Sequence, residues 1–162
     1  VCPEEFCGNR IRRMQEEQNW LAENLPREAS EEEGYITVDR EENIRDRICN
    51  LLDKAEERVY FSCSAGWLEH FRDKLAAMAK DGKKIVLITD RPFSIQGAII
   101  YMTEDRGHQI GLITDSRYVL SGEFGQGSMN TCLYSGQKNF ARLFKTAMAN
   151  EIELIKIRKG ER

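Results

Sequence analysis

The chain has 162 residues, 41% hydrophobic and 31% charged, with 24 Lys plus Arg against 27 Asp plus Glu and a net charge of −3. That balance is globular and excludes a disordered chain, while no apolar run approaches the ~20 residues that span a bilayer. With no basic excess to neutralise phosphates, this stretch is not expected to grip nucleic acid as its main business. Since it opens on Val1, any such contact is expected in a part of the protein further upstream.

Five cysteines (Cys2, Cys7, Cys49, Cys63 and Cys132) are scattered, and no two are spaced as CxxC. A zinc site is therefore not expected. Neither is any other metal or cofactor, and reduced thiols in a cytoplasmic protein are the simplest reading.

Glu4 to Leu25 reads as a helix. Cys7, Ile11, Met14, Gln18, Leu21 and Leu25 recur at alternating steps of four and three, the spacing of a coiled-coil seam with a polar Gln18 in its middle. Residues 1–26 are thus expected to form a dimerisation and linker helix, with Pro26 and the acidic run Ser30–Glu33 breaking it. A globular domain is expected over residues 34–162.

Tyr35–Val38 reads as a short strand, and Asp39 with Glu42 three residues on forms a capping-box pattern. The helix that follows has Ile44, Ile48, Leu51, Leu52 and Ala55 on one face. Val59–Cys63 is a predicted strand, turned by Ser64-Ala65-Gly66 into a helix carrying Trp67, Phe71, Leu75 and Met78 and closed by Gly82. Ile85–Thr89 is a continuous apolar strand of the kind buried on both faces, so a parallel βαβ unit is expected. Strands at Ala98–Thr103, Gln109–Thr114, Tyr118–Ser121 and Cys132–Tyr134 follow. Ser135 is expected to cap a helix with Phe140, Leu143, Phe144 and Met148 inside, and Ile152–Ile157 to close as a strand. The class is α/β with a mixed sheet.

The Gly-rich stretch Gly122–Ser128 lacks the Lys of a phosphate loop and does not run into a helix. More informative is His108-Gln-Ile110-Gly-Leu-Ile-Thr-Asp115. It resembles the HxKxxxxD motif of the phospholipase D superfamily, whose His is the nucleophile and whose Lys binds phosphate. His108 and Asp115 match; Ile110 stands where the Lys should be. A phosphodiester transition state needs that positive charge. In the same register Gly122-Glu123 falls where the motif's Gly-Ser would lie, and Gly127-Ser128-Met129-Asn130 comes about five residues late.

From Tyr35 onward the chain also resembles the effector-binding domain of the TrmB family of transcriptional regulators. The matching features are Gly34–Val38, Ile44–Ile48, Ala55–Ser62, Gly82–Ile88, Gly111–Leu120 and Asn150–Ile155. The resemblance implies a phospholipase D-like mixed sheet flanked by helices, preceded by an N-terminal coiled-coil helix. It also implies a winged-helix DNA-binding domain outside this chain and a small-molecule effector, in the best-known members a sugar. No motif carries that family's sugar-binding residues onto this sequence.

Ligands of α/β sheets sit beyond the carboxyl ends of parallel strands. Ser62, Ser64 and Trp67 follow one such strand, and Asp90 the next. His108, Glu123, Ser128 and Asn130 come from the residual motif and the Gly-rich loop. Each has a structural alternative: Ser64 as a helix cap, Trp67 as core, Asp90 as a turn residue, Asp115 as a hairpin residue. Their mix of hydroxyls, carboxylates and one aromatic face suits a polar effector, neutral or weakly charged. No catalytic residue is assigned. The competing readings are a homodimeric phosphodiesterase or nuclease with one His from each subunit, and a receiver-like or flavodoxin-like domain, which would need more acidic residues than Asp90 at the strand ends.

If the seam of Ile11, Met14, Gln18, Leu21 and Leu25 joins two copies, the chain should sediment as a homodimer. The Ile11→Asp/Leu21→Asp double variant should shift toward monomer at micromolar concentration, because two carboxylates would enter an apolar stripe. Equal sedimentation of the two proteins would remove the helix from the dimer contact.

Overall fold

A computed structural model describes residues 2–25, 34–104 and 106–160, in two compact units, Val1–Ser30 and Glu31–Arg162. The expected linker at Pro26 and Ser30–Glu33 lies outside the described residues.

The first unit is one helix, α1 (Pro3–Asn24). Pro3 opens it, where a missing N–H costs nothing, and Glu4 and Glu5 favour the positive end of its dipole. No residue of α1 is buried. Ile11, Met14 and Leu21 are about half exposed or more, as is Leu25 just past the helix end, so the whole predicted seam faces solvent. A 22-residue helix without a packed face is only marginally stable in water.

The second unit begins with β1 (Tyr35–Asp39) and α2 (Glu41–Lys54). Ile44, Ile48, Leu51 and Leu52 are buried as their helical spacing predicts. The capping box does not form. Asp39 remains in the strand opposite Thr131 and accepts its hydroxyl at 3.0 Å, while Arg40 occupies the N-cap with φ 75° and no side-chain cap bond. The carboxylate is thus held across the sheet instead of at the helix start.

Next come β2 (Arg58–Ser62), the short helix α3 (Ala65–Leu68), a 3₁₀ turn (Glu69–Phe71), α4 (Arg72–Lys80) and β3 (Lys84–Thr89). Gly82 ends α4 with φ 85°, and the Lys83 N–H reaches back to the Met78 carbonyl at 3.1 Å, the closure that a left-handed glycine permits. β3 pairs parallel with β2 and with β4 (Ile99–Met102). β5 (Gln109–Thr114), β6 (Tyr118–Glu123) and β7 (Thr131–Ser135) form an antiparallel meander that runs back to β1. The seven-stranded sheet has the order β1-β7-β6-β5-β2-β3-β4, with β2 and β5 joining the parallel and antiparallel parts.

The last element is a single helix, α5 (Lys138–Arg158), and Ile152–Ile157 belongs to it, contrary to the strand expectation. Three of those six residues are β-branched Ile, which favours strand in isolation. Ile152 and Ile155, three apart, instead pack on Val86 and Ile88, while Leu154 and Ile157 face outward. Helix packing on an occupied sheet face overrides the local preference. Leu143, expected inside, is 65% exposed. Ser135 does not cap α5 either: its hydroxyl donates to the Gly34 carbonyl and accepts the Gln137 N–H, and Gln137 is the N-cap.

Helices therefore cover both sheet faces. The main core lies between the sheet and α2, α3 and α4, with Phe61, Leu87, Leu112 and Leu120 from the strands. Two smaller clusters lie under α5. Among the described residues no helix is long and apolar enough to cross a membrane.

Asp115, the last residue of the residual motif, sits in the β5–β6 turn at φ 53°. Its carboxylate accepts the backbone N–H groups of Glu56, Glu57 and Arg58 at 2.8–3.0 Å, which fixes the start of β2. Burial pushes its pKa up, but these three bonds and the Lys83 charge outweigh it and hold the group below the usual Asp range. The stability this contributes is complete above the unfolded-state value of ~3.9 and is lost as pH falls through the lowered folded value. Asp115→Ala should cost about 2 kcal/mol at pH 7, allowing for solvent screening. In urea unfolding, the gap between wild type and variant should narrow steadily below pH ~4.

Candidate functional site

At one end of the sheet the register aligns Ser62 of β2 with Gly111 of β5, and Gly111 with Ser121 of β6. All three belong to the face that α5 covers. A Cβ on Gly111 would stand 3.0 Å from the Met148 methyl and 3.9 Å from the Ser62 Cβ. The missing side chain lets α5 seat closely at Met148 and leaves room beside it. The result is a cleft of about 390 Å³ whose walls include Gln109, Glu123, Phe144, Ala147 and Glu151.

This cleft is polar for its depth. Ser62 is 4% exposed, and its hydroxyl has no hydrogen-bond partner. An unsatisfied buried hydroxyl is costly, by about 1–3 kcal/mol, and calls for an explanation such as a ligand or a water. Arg106 forms an ion pair with Glu151 at the cleft wall, with both side chains largely shielded from solvent. Pairing offsets part of their desolvation and fixes both groups. Glu123 adds an exposed carboxylate at the mouth. Serine hydroxyls, an amide, one guanidinium and two carboxylates thus line the cleft together with Phe144, an arrangement able to hydrogen-bond a small polar molecule.

Of the candidates read from the sequence, Ser62 and Glu123 line this cleft; Ser64, Trp67, Asp90, His108, Ser128 and Asn130 do not. Ser64 is the N-cap of α3 but makes no side-chain cap bond. Asp90 supplies it instead, accepting the Ala65 N–H at 2.9 Å across 25 residues of chain. Trp67 is half-buried against the core, its ring 4.3 Å from that of Phe124. Asn130 accepts the Gly125 N–H, and the Ser128 hydroxyl bridges the Gly125 carbonyl and the Asn130 N–H. Both polar side chains are therefore used to shape the Gly-rich loop. That loop passes close to exposed His108: a Cβ on Gly127 would be 3.8 Å from its Nε2. Ile110 is 4% exposed and part of the main core, so no cation stands beside His108 at the motif's lysine position.

Arg106, Gln109, Ser121 and Glu151 were not legible as site residues. Gln109 and Ser121 had the strand alternation as a signal, since both share a face with Gly111. Glu151 was hidden by the strand reading of the segment beside it.

The thiols offer no nucleophile at either buried position. Burial pushes Cys63 and Cys132 up to about 12 each, so both are neutral thiols at pH 7. Among the described residues no group of three or more His, Cys, Asp or Glu side chains is placed to hold a metal ion.

No family model and no curated protein matches the sequence. Solved structures do match the fold. TrmBL2, an archaeal chromatin protein described as showing a novel mode of DNA binding, is 12% identical, with a TM-score of 0.62 over 93% of this chain and 63% of its own. NucT from Helicobacter pylori is 12% identical, with a TM-score of 0.59 over 74% of this chain and 96% of its own. Nuc from Salmonella typhimurium, a phospholipase D family member, is 14% identical, with a TM-score of 0.55 over 79% of this chain and 95% of its own. The fold is phospholipase D-like and is shared with TrmBL2 as well as with NucT and Nuc. This chain spans less than two thirds of the length of TrmBL2.

Gly125 tests the loop geometry. It has φ 124°, and a Cβ there would meet the Trp67 indole nitrogen at 2.5 Å. Gly125→Ala should lower stability by about 2 kcal/mol or more, through backbone strain and displacement of Trp67. Chemical denaturation followed by Trp fluorescence should show both the loss and a changed native emission.

Proposed function

We propose that this chain is the ligand-sensing regulatory module of a TrmB-type transcriptional regulator whose winged-helix DNA-binding domain lies outside it. The observation that carries the proposal is the unpartnered Ser62 hydroxyl facing a polar cleft under α5. A buried hydroxyl left without a partner is favourable only when something else satisfies it, and the cleft is within the size range of small-molecule sites. The fold shared with TrmBL2 supports the same reading. The effector is polar and neutral or weakly charged, held by Ser62, Ser121, Gln109 and the carboxylates. Self-association through the exposed seam of α1 completes the proposal, since a two-fold dimer presents two DNA-reading modules to a palindromic site.

A phosphodiesterase or nuclease activity has the shared fold of NucT and Nuc in its favour. Against it, Ile110 contributes hydrocarbon where an anionic transition state needs a cation. Restoring the lysine alone is not expected to create activity, because Ile110→Lys would bury an unpaired ammonium in the main core and cost several kcal/mol.

Two measurements test the assignment. A thermal-shift screen of neutral sugars, sugar phosphates and amino acids should yield a compound that raises the midpoint in a concentration-dependent way. A ligand at 100 times its Kd stabilises by about 2.7 kcal/mol. Ser62→Ala should leave the unliganded protein as stable or slightly more so, yet weaken binding about tenfold, the worth of one good hydrogen bond. Binding that ignores both Ser62→Ala and Glu123→Ala would place the effector elsewhere. Hydrolysis of bis(p-nitrophenyl) phosphate should not exceed that of the His108→Ala variant; turnover abolished by that substitution would establish the enzyme instead.

A further inference from the structure

A second cleft, of about 700 Å³, opens at the start of α5. One wall is the first two turns of that helix, with Lys138, Arg142 and Lys145; the other is the β5–β6 turn, with Ser116 and Arg117. Gly136 and Gln137 close its end. No acidic side chain lines it, in a chain with net charge −3. Asp115, the nearest acid in sequence, turns its carboxylate onto the Glu56–Arg58 backbone. Among the described residues none of the four cations is ion-paired, and the Arg117 guanidinium lies 5.5 Å over the Tyr118 ring.

This placement works against the stability of the helix. The start of a helix carries a partial positive charge that favours Asp or Glu, yet the first turn of α5 has no acid and begins with Lys138. Lys138 and Arg142, four apart, repel each other, and Lys145 follows three further on. The N-cap residue Gln137 makes no side-chain cap bond, so the free N–H groups of the first turn have no local acceptor. On the opposite wall half-buried Ser116 carries a hydroxyl with no hydrogen-bond partner. Local choices that weaken a helix while concentrating one charge are expected at functional or strained sites.

We infer that this cleft binds a small phosphate-bearing molecule, with its anionic groups held by Lys138, Arg142, Lys145 and Arg117 and by the first-turn N–H groups of α5. Phosphate oxygens accept from guanidinium, ammonium and helix-start N–H groups alike. The three cations of α5 lie within seven residue steps, about 10 Å along the helix, which suits two linked phosphates. A two-walled recess admits a compact anion, whereas a duplex needs an extended basic face, and the chain as a whole has a net charge of −3. The site is separate from the Ser62 cleft and does not depend on an effector binding there.

The probe is inorganic pyrophosphate, titrated calorimetrically into the 162-residue chain at constant ionic strength. Saturable binding should weaken at least tenfold in Arg142→Glu/Lys145→Glu and be unchanged in Ser62→Ala. Lys138→Glu gives a second readout. It should raise the thermal midpoint of the unliganded protein, by relieving the helix dipole and the repulsion with Arg142, while lowering pyrophosphate affinity. A 20-base-pair duplex is the comparison arm. No saturable pyrophosphate binding, binding indifferent to the charge reversals, or duplex binding that needs these cations while pyrophosphate is ignored would each overturn the inference.

Discussion

The antiparallel pairing of β2 with β5 is the constraint on which the rest of the second unit depends. β2 has a parallel neighbour, β3, on one side and an antiparallel neighbour, β5, on the other. Val59 faces Thr114 and Ser62 faces Gly111, so one short ladder sets where the βαβ half meets the meander half. The Asp115 carboxylate holds the lower end of that ladder through three main-chain N–H groups, and the Asp115 N–H returns a bond to the Arg58 carbonyl. A one-residue slip would carry Phe61 out of the main core and Ser62 into it. Asp115, the last residue of the residual motif, thus serves as the clamp of the central strand pair.

That register has a chemical consequence at the other end of the same strands. Because Phe61 points to the large core, Ser62 points to the α5 side, and because Gly111 lies opposite, Met148 seats closely over the glycine and room is left beside it. The hydroxyl is left buried beside a cleft rather than packed. A glycine and a serine that would be unremarkable in any other alignment become the floor of a site. The Arg106–Glu151 pair then joins the loop before β5 to α5 at the wall of the cleft.

α5 carries two opposite physical tasks. Its inner stripe, Ala141, Met148, Ile152 and Ile155, is ordinary apolar packing on the sheet. Its first two turns are charged against their own dipole and face the β5–β6 turn across a recess. The apolar stripe supplies enough burial to hold the helix in place despite that electrostatic penalty, since like-charge pairs and dipole terms are each a few tenths of a kcal/mol to about 1, and buried Ile or Met side chains about 1.5–3.

Periodicity in the sequence by itself determined the apolar faces of α2 and α4, the buried run of β3, the Gly82 helix stop and the α/β class, because each rests on interactions within a few residues or on a repeat of 2 or 3.6. The resemblance of His108–Asp115 to the HxKxxxxD motif also puts Ile110 at the lysine position. Only the tertiary structure decided the rest. Ile152–Ile157 has strand-like composition but lies in α5, since its inward residues meet Val86 and Ile88 on a sheet face that needed covering. Asp39 fits a capping box yet bonds Thr131, 92 residues away, while Asp90 caps a helix that starts 25 residues before it. The predicted pocket residues were divided by the same logic: strand alternation sends Ser62 and Glu123 beneath α5, and the Gly-rich loop consumes Ser128 and Asn130 in its own turns. Local patterns decide which residues are apolar or helix-breaking; which polar group meets which partner depends on strand register and helix placement, and those are set by packing across the whole sheet.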